Sequence, residues 1–372
     1  LRSFSGLPNA LWWWWVGGRL RGHRAALALL ALFMAAVLAQ VLWIMTGADS
    51  ARAAHVWLPR WYMVLVYLWH LLVLPGALLL AGGDTVVRLL RRRAAPVDPS
   101  RRSLLKAAAA WVPPVAAGAG IAVALPRLDH FRVRRIEVPV PGLPPELDGL
   151  RICHVSDLHY GKYTTAATVD RIVEEVNGLE ADLVLFTGDL IDLSLVDLDD
   201  AIEALARIDR RTGFFLCEGN HDLIDDGDAF RRRVRAAGLP LLRDAAETVR
   251  VRGARVQMLG TRWGGRDERD EPVQAVRDLR DPGAFPVLLA HHPHAWDHAR
   301  DFPLMLAGHT HGGGLMWDEK VGAGPVLFKY WSGLYRRDGR SLVVSNGVGN
   351  WFPIRARAPA EIGHYVLSRG VG

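Results

Sequence analysis

Two cysteines in 372 residues leave no material for a disulfide framework. Internal repeats and low-complexity tracts are missing from residue 126 onward, and with 50% of its residues hydrophobic the chain is not a disordered one. Acidic groups are scarce at one end only: residues 1–135 hold four Asp and Glu against 17 Lys and Arg. The other 28 basic and 35 acidic residues give positions 136–372 a net charge of −7, hidden beneath an overall +6. An acidic folded part argues against nucleic acid as a partner, because nucleic-acid grooves are met by basic surfaces. The basic excess instead sits beside apolar runs, as it does at a membrane face. The length suffices for about two domains with separate cores.

Charge is also missing from three long stretches. Ala25 to Met45 is uncharged over 21 residues, and Trp61 to Ala81 is interrupted only by His70 and the Pro75-Gly76 pair. Ala107 to Leu125 is weaker, rich in Ala and Gly, with Pro113 and Pro114 inside. Each is long enough to cross a hydrocarbon core of about 30 Å. Nine of the 14 tryptophans fall before residue 135, mostly near the ends of these runs, where indoles favour the lipid–water interface. His70 reads as a neutral, hydrogen-bonded histidine. Arg19, Arg21 and Arg24 before the first run, and Arg88, Arg91, Arg92, Arg93, Arg101, Arg102 and Lys106 between the second and third, place those loops in the cytoplasm. The third run then leads outward, although Arg127, Arg132, Arg134 and Arg135 beyond it pull the other way. Ser100-Arg101-Arg102-Ser103-Leu104-Leu105-Lys106 resembles a twin-arginine export signal, with Ala122-Val123-Ala124 as a small-x-small cleavage site. The expected organisation is a transmembrane region over 1–125, a connector with an edge strand over 126–149, and a folded domain over 150–372. It would lie at the cell membrane, with the folded domain on the extracytoplasmic side and the twin-arginine export machinery as a partner.

The connector carries five prolines, and Val133 to Val140 reads as a short edge strand. Beyond it, Leu150–Val155, Asp182–Phe186, Phe214–Cys217, Val287–Leu289 and Leu304–Leu306 are short apolar runs without alternation, the pattern of strands covered on both faces. Val169, Ile172, Val173 and Val176 recur at helical spacing and predict a helix over 166–177; a second is predicted over 199–209. Strands at 341–345 and 363–367 close the sheets. Strand alternating with helix is the α/β pattern.

Each of the five apolar runs leads into metal-capable side chains: Ser156-Asp157-Leu158-His159, Gly188-Asp189, Gly219-Asn220-His221-Asp222, His291-His292-Pro293 and Gly308-His309-Thr310-His311-Gly312-Gly313. Ligand crevices in open α/β sheets lie beyond the carboxyl ends of the strands, so the five clusters converge on one rim. With the motifs D-x-H, G-D, G-N-H-D, H and G-H-x-H in this order, residues 135–370 resemble the calcineurin-like metallophosphoesterase superfamily. The likeness is strongest to its membrane-associated bacterial branch, in which an N-terminal anchor or twin-arginine signal precedes the catalytic domain.

The resemblance implies a four-layer αββα sandwich and a dinuclear metal-dependent phosphoesterase. Asp189 would bridge two divalent ions, one also held by Asp157, His159 and His311, the other by Asn220, His291 and His309. His221 would stand beside them as proton donor. The reaction implied is attack on a phosphate mono- or diester by a hydroxide that the two ions activate. Mixed imidazole and carboxylate ligation suits Mn, Fe or Zn. A membrane location favours an envelope or lipid-linked phosphoester as substrate. The competing reading is a non-catalytic metal-binding receptor coupled to the membrane hairpin.

Neighbouring residues divide on the same grounds. His292, His294 and His298 read as surface groups, His154 as a core histidine, and Cys153 and Cys217 as buried thiols. Asp192, Asp222, Asp225 and Asp226 could equally orient the ligating histidines or be exposed. Arg336 and Arg355 read as surface arginines with a lesser chance of meeting a phosphate. The segment from Trp263-Gly264-Gly265 to Asp281 reads as a loop able to overhang the site and select substrates.

Overall fold

The computed structural model describes all residues except 1, 21–22, 47–57, 91–98, 210–212, 265–269, 315, 317–321, 323, 356 and 371–372. Arg21, Trp57, Arg91, Arg92, Arg93 and Gly265 therefore lie outside the described residues. The chain divides into two compact units, Leu1–Arg127 and Leu128–Gly372.

The first unit is helical: α1 (Arg2–Arg19), α2 (Arg24–Thr46), α3 (Arg60–Leu68), α4 (Leu74–Leu90) and α5 (Pro99–Arg127). A π turn, Trp69–Val73, joins α3 to α4 without a break. It immediately precedes Pro75, whose missing N–H and ring would otherwise disturb the helical ladder. Among the described residues, Arg60–Gly83 is long and apolar enough to cross a membrane, whereas the apolar stretch Arg24–Ala39 is shorter. The expected third run, 107–125, and the Ser100–Lys106 motif both fall within α5. His70 Nδ1 lies 2.8 Å from the Val66 carbonyl of its own helix, so the ring is hydrogen-bonded within the segment.

The second unit contains two sheets among the described residues. The first has the order β1-β11-β2-β3-β4, from β1 (Phe131–Pro139), β2 (Arg151–Val155), β3 (Leu183–Thr187), β4 (Phe214–Cys217) and β11 (Ala360–Ser368). The other has the order β5-β6-β7-β8-β10-β9, from β5 (Ala245–Val251), β6 (Ala254–Gly260), β7 (Phe285–Leu289), β8 (Leu304–Ala307), β9 (Gly333–Arg337) and β10 (Arg340–Val344). Strands β2, β3 and β4 run parallel, as do β6, β7, β8 and β10. The proline-flanked β1 is the edge strand, as anticipated.

Side-chain alternation explains the uninterrupted apolar runs. On β3, Leu183 and Leu185 enter the core between the sheets with Ile152, Val287, Leu289 and Leu306. Val184 and Phe186 point the other way, toward Ile172 and Val176 of α6 (Ala166–Gly178), Leu205 of α7 (Leu198–Ala206) and Val234 of α8 (Gly227–Ala236). Both faces of the strand are dry, so both sets of positions are apolar. On the outer face of the second sheet, Val273 and Val276 of α9 (Glu271–Arg277) pack with Trp296 and Phe302. The result is a helix–sheet–sheet–helix sandwich.

Candidate metal centre

Five strands end at one rim, three from the first sheet and two from the second. Backbone hydrogen bonds lace the loops together: Asp157 N donates to Gly188 O (2.9 Å), His159 N to Asp189 O (3.0 Å) and Gly308 N to His291 O (3.1 Å). Asp222, buried to 1% exposure, accepts from the backbone N–H groups of Gly219, Asp189, Leu190 and Ile191. It orients loops rather than histidines. Asp226 caps α8 through Ala229 N, and Asp225 accepts from Leu195 N.

Five of the expected ligands occupy the left-handed backbone region: Asp157 (φ 54°), His159 (45°), Asp189 (58°), His309 (70°) and His311 (49°). Non-glycine residues pay about 1 kcal/mol or more there, and such strain persists where the surroundings enforce it for a purpose. Close backbone approach is equally forced. A Cβ on Gly308 would stand 2.2 Å from Asp157 Oδ2, so only glycine lets that loop pass the carboxylate.

The side chains form three overlapping groups able to hold a cation: Asp157–His159–His311, His159–Asp189–His221 and Asp189–His291–His309. Asp189 belongs to two of them. Its Oδ2 lies 3.5 Å from His159 Nε2 and 3.1 Å from His291 Nε2, while its Oδ1 accepts from His221 N at 2.7 Å. Asp157 Oδ1 lies 3.2 Å from His311 Nε2 and 3.8 Å from His159 Nε2, and those two imidazole nitrogens are 3.1 Å apart. His309 Nδ1 is 2.9 Å from Asn220 Oδ1. His291 Nε2 is buried and makes no aligned hydrogen bond, while its Nδ1 is occupied by the Thr187 carbonyl at 2.6 Å. An unsatisfied imidazole nitrogen aimed at a carboxylate fits a cation ligand, so this donor set suits divalent metal binding.

Burial opposes ionisation of Asp157 and Asp189, but the charges of His311 and His291 outweigh it and hold both carboxyls below their usual range. Burial also opposes a charge on His291, yet Asp189 raises it to about 9. In His309, burial and then the charge of His291 lower the pKa to about 3. His221 is disfavoured by burial as a cation, but its hydrogen bond to Asp192 and the charge of Asp189 raise it to about 9. Its Nδ1 lies 2.6 Å from the Asp192 carbonyl and 3.4 Å from Asp192 Oδ1, which leaves Nε2 as the nitrogen able to give a proton. Asp192 is therefore the carboxylate that orients a site histidine.

The remaining residues divide between those that match expectation and those that do not. Arg355 is not a surface arginine: it donates to His311 Nδ1 at 2.9 Å and to the Asn346 and Gly349 carbonyls, fixing the His311 ring from behind. No local pattern points to that role, because its partners are mostly carbonyls. Arg336 is exposed on edge strand β9. His292 and His294 are half-buried and line a cavity beside His291 and His309, a correction to their reading as surface groups. Strand β7 turns directly into the 3-10 segment Pro293–Asp297, which folds both rings inward. His298 ends that turn. His154 is fully buried between Tyr365 OH and Thr187 Oγ1, and Cys153 and Cys217 are free, buried thiols.

Comparison with known proteins agrees with this geometry. Residues 150–313 match the family described as calcineurin-like phosphoesterase. The chain is 30% identical over 258 residues to a zebrafish "Transmembrane protein with metallophosphoesterase domain", covering 64% of this chain and 57% of that protein. It is 28% identical over 239 residues to the Bacillus subtilis "Uncharacterized metallophosphoesterase YkuE", covering 60% and 81% respectively. It is 28% identical over 224 residues to the Escherichia coli "Phosphodiesterase YaeI", covering 57% and 80%. The chain thus spans little over half the length of the zebrafish relative. The part of this chain that carries the five strand ends with metal-capable side chains belongs to the calcineurin-like phosphoesterase superfamily.

Proposed function

We propose that this chain is a dinuclear metal-dependent phosphoesterase that hydrolyses phosphate mono- or diesters of an envelope or lipid-linked substrate. The observation that carries the reading is the position of Asp189 Oδ2 between two imidazoles, 3.5 Å from His159 Nε2 at the rim of the first sheet and 3.1 Å from His291 Nε2 at the rim of the second. Asp157, His159, Asp189 and His311 would hold one ion, and Asp189, Asn220, His291 and His309 the other. Two bound divalent ions of Mn, Fe or Zn type supply charge neutralisation and a nucleophile at neutral pH. The protein's own part is positional. Asp222 and the backbone lacing keep the loops in register, Arg355 fixes the His311 ring, and Asp192 holds His221 through Nδ1. His221 then protonates the departing ester oxygen from Nε2.

One apolar helix and relatives named as transmembrane proteins support attachment to a membrane. The arginine distribution and the Ser100–Lys106 pattern support an extracytoplasmic catalytic unit that passes the twin-arginine machinery.

Chelator-treated full-length protein should lose hydrolysis of a chromogenic phosphodiester and regain it with Mn²⁺. His221→Ala should keep its metal but lose turnover by about 10²–10⁴ on alkyl esters, and by less when p-nitrophenolate departs without needing a proton. Full activity in metal-free protein would end the reading; no turnover in the metal-loaded parent would leave the receptor.

A further inference from the structure

Two aromatic flanks bracket the candidate centre, one at each end. At the His159–His311 end, Trp351 lies 5.8 Å from the His221 ring and 6.3 Å from His311. At the His291–His309 end, Trp263 lies 5.1 Å from His309, 5.5 Å from His291 and 5.7 Å from His292. Phe328 approaches His309 from another side at 5.9 Å, and the His292 ring stands 4.8 Å from it at an interplanar angle of 32°. Trp263, Phe328 and His292, of the second flank, line a cavity of about 520 Å³ that shares His291 and His309 with the candidate metal site.

The cavity is built rather than incidental. Trp263 N donates to Glu218 Oε1 at 3.2 Å, and Glu218 is 1% exposed, gripped by Arg231 through Nε at 2.7 Å. Glu218 directly precedes the Gly219-Asn220-His221 loop, so the tryptophan is moored to the segment that carries a candidate ligand and the proton donor. Rings on several sides of a half-polar space select a flat group, which stacks well and keeps polar edges satisfied.

Resting on the phosphoesterase reading, we propose that the Trp263–His292–Phe328 cavity is the subsite for the retained arm of a phosphodiester, and that this arm carries a planar ring. The two ends of the centre then have separate tasks. A monoester has one arm and no use for a second aromatic subsite opposite the proton donor; a diester has two. Water adds to phosphorus, the P–O bond to the arm beside His221 breaks, and that oxygen takes the proton. The ring-bearing arm stays esterified in the cavity as the monoester product. Trp263 and His292 are specificity-determining residues in this arrangement.

The test uses detergent-solubilised full chain loaded with Mn²⁺ and three substrates that share p-nitrophenolate as leaving group: phenyl p-nitrophenyl phosphate, methyl p-nitrophenyl phosphate and p-nitrophenyl phosphate. The parent should favour the phenyl over the methyl diester by about ten-fold in kcat/KM and turn over the monoester least. Trp263→Ala should collapse the phenyl-to-methyl ratio to near one, His292→Ala should lower it, and Trp263→Phe should retain most of it. Calorimetry supplies a readout apart from turnover: phenyl phosphate should bind the parent about ten-fold tighter than methyl phosphate, and equally in Trp263→Ala. A ratio untouched by Trp263→Ala at parental metal content, or a monoester preferred over both diesters, overturns the subsite. Failure of all three substrates in metal-loaded parent overturns the phosphoesterase reading instead, and the calorimetric ratio still judges the cavity.

Discussion

Replacing Gly219 by alanine perturbs the centre without replacing any of the candidate ligands. A Cβ there would stand 2.2 Å from Asp189 Oδ1 and 2.4 Å from Asp189 N, whereas real contacts of this kind stay above 3.0 Å. Asp189 must therefore retreat by about 0.8 Å, or the Gly219 loop must. Neither is free to do so. Asp189 N donates to Asp222 Oδ2 at 3.0 Å, its Oδ1 accepts from His221 N at 2.7 Å, and its carbonyl accepts from His159 N at 3.0 Å. Overpacking of this kind costs about 1–3 kcal/mol, or about 3–10 °C in Tm for a unit of this size. Metal sites tolerate ligand displacements of only about 0.2 Å, so bound Mn²⁺ should fall as well. Gly178→Ala is the matched control. Gly178 ends α6 with no positive φ, and an added methyl would meet nothing within 4 Å, so that variant should be neutral or slightly more stable. Thermal unfolding of the full chain and elemental analysis of bound metal measure both effects. A Gly219→Ala protein that melts within about 1 °C of the parent and holds the same metal would refute the claim that backbone approach positions Asp189.

Three further outcomes rest on other parts of the chain. Asp189→Asn keeps the shape and removes the shared charge, so it should lose most of both metals, measured by elemental analysis; retention of one full equivalent would show that the carboxylate serves a single ion. His154 is held neutral, with burial lowering its pKa to about 3, while an unfolded histidine titrates near 6.5. The unfolded chain therefore binds the extra proton between those values, and stability present above pH 6.5 drains away as pH falls, by about 2 kcal/mol at pH 5. Unfolding midpoints followed from pH 7 to 5 should fall less steeply in His154→Gln than in the parent, and parallel slopes would contradict this. A reporter that works only outside the cytoplasm, fused after Gly372, should be active, and Arg101→Lys with Arg102→Lys should silence it; activity only in the cytoplasm would place the domain inside.

Local pattern alone determined a good deal about this protein. The five strands that lead into the candidate site and helix Ala166–Gly178 were legible because apolar runs and 3.6-residue spacing are properties of neighbouring residues. The clustering of metal-capable side chains was legible because each motif sits within a few residues of a strand end. Other elements were not. Helix Gly227–Ala236 buries only Phe230 and Val234 among its arginines, too thin an apolar stripe to stand out, and the hairpin β5–β6 has a largely exposed outer strand. What required the tertiary structure is everything that depends on contacts between distant segments. The left-handed backbones of Asp157, His159, Asp189, His309 and His311 sit in loops laced to one another by hydrogen bonds between distant segments. Asp222 became a loop clamp and Arg355 the support of His311 only through partners distant in sequence. His292, one residue past His291, faces the Trp263 cavity because the chain turns there into Pro293–Asp297. Side-chain type names the chemistry a residue can perform; where the backbone turns, and what crosses it, decides whether that chemistry meets a partner.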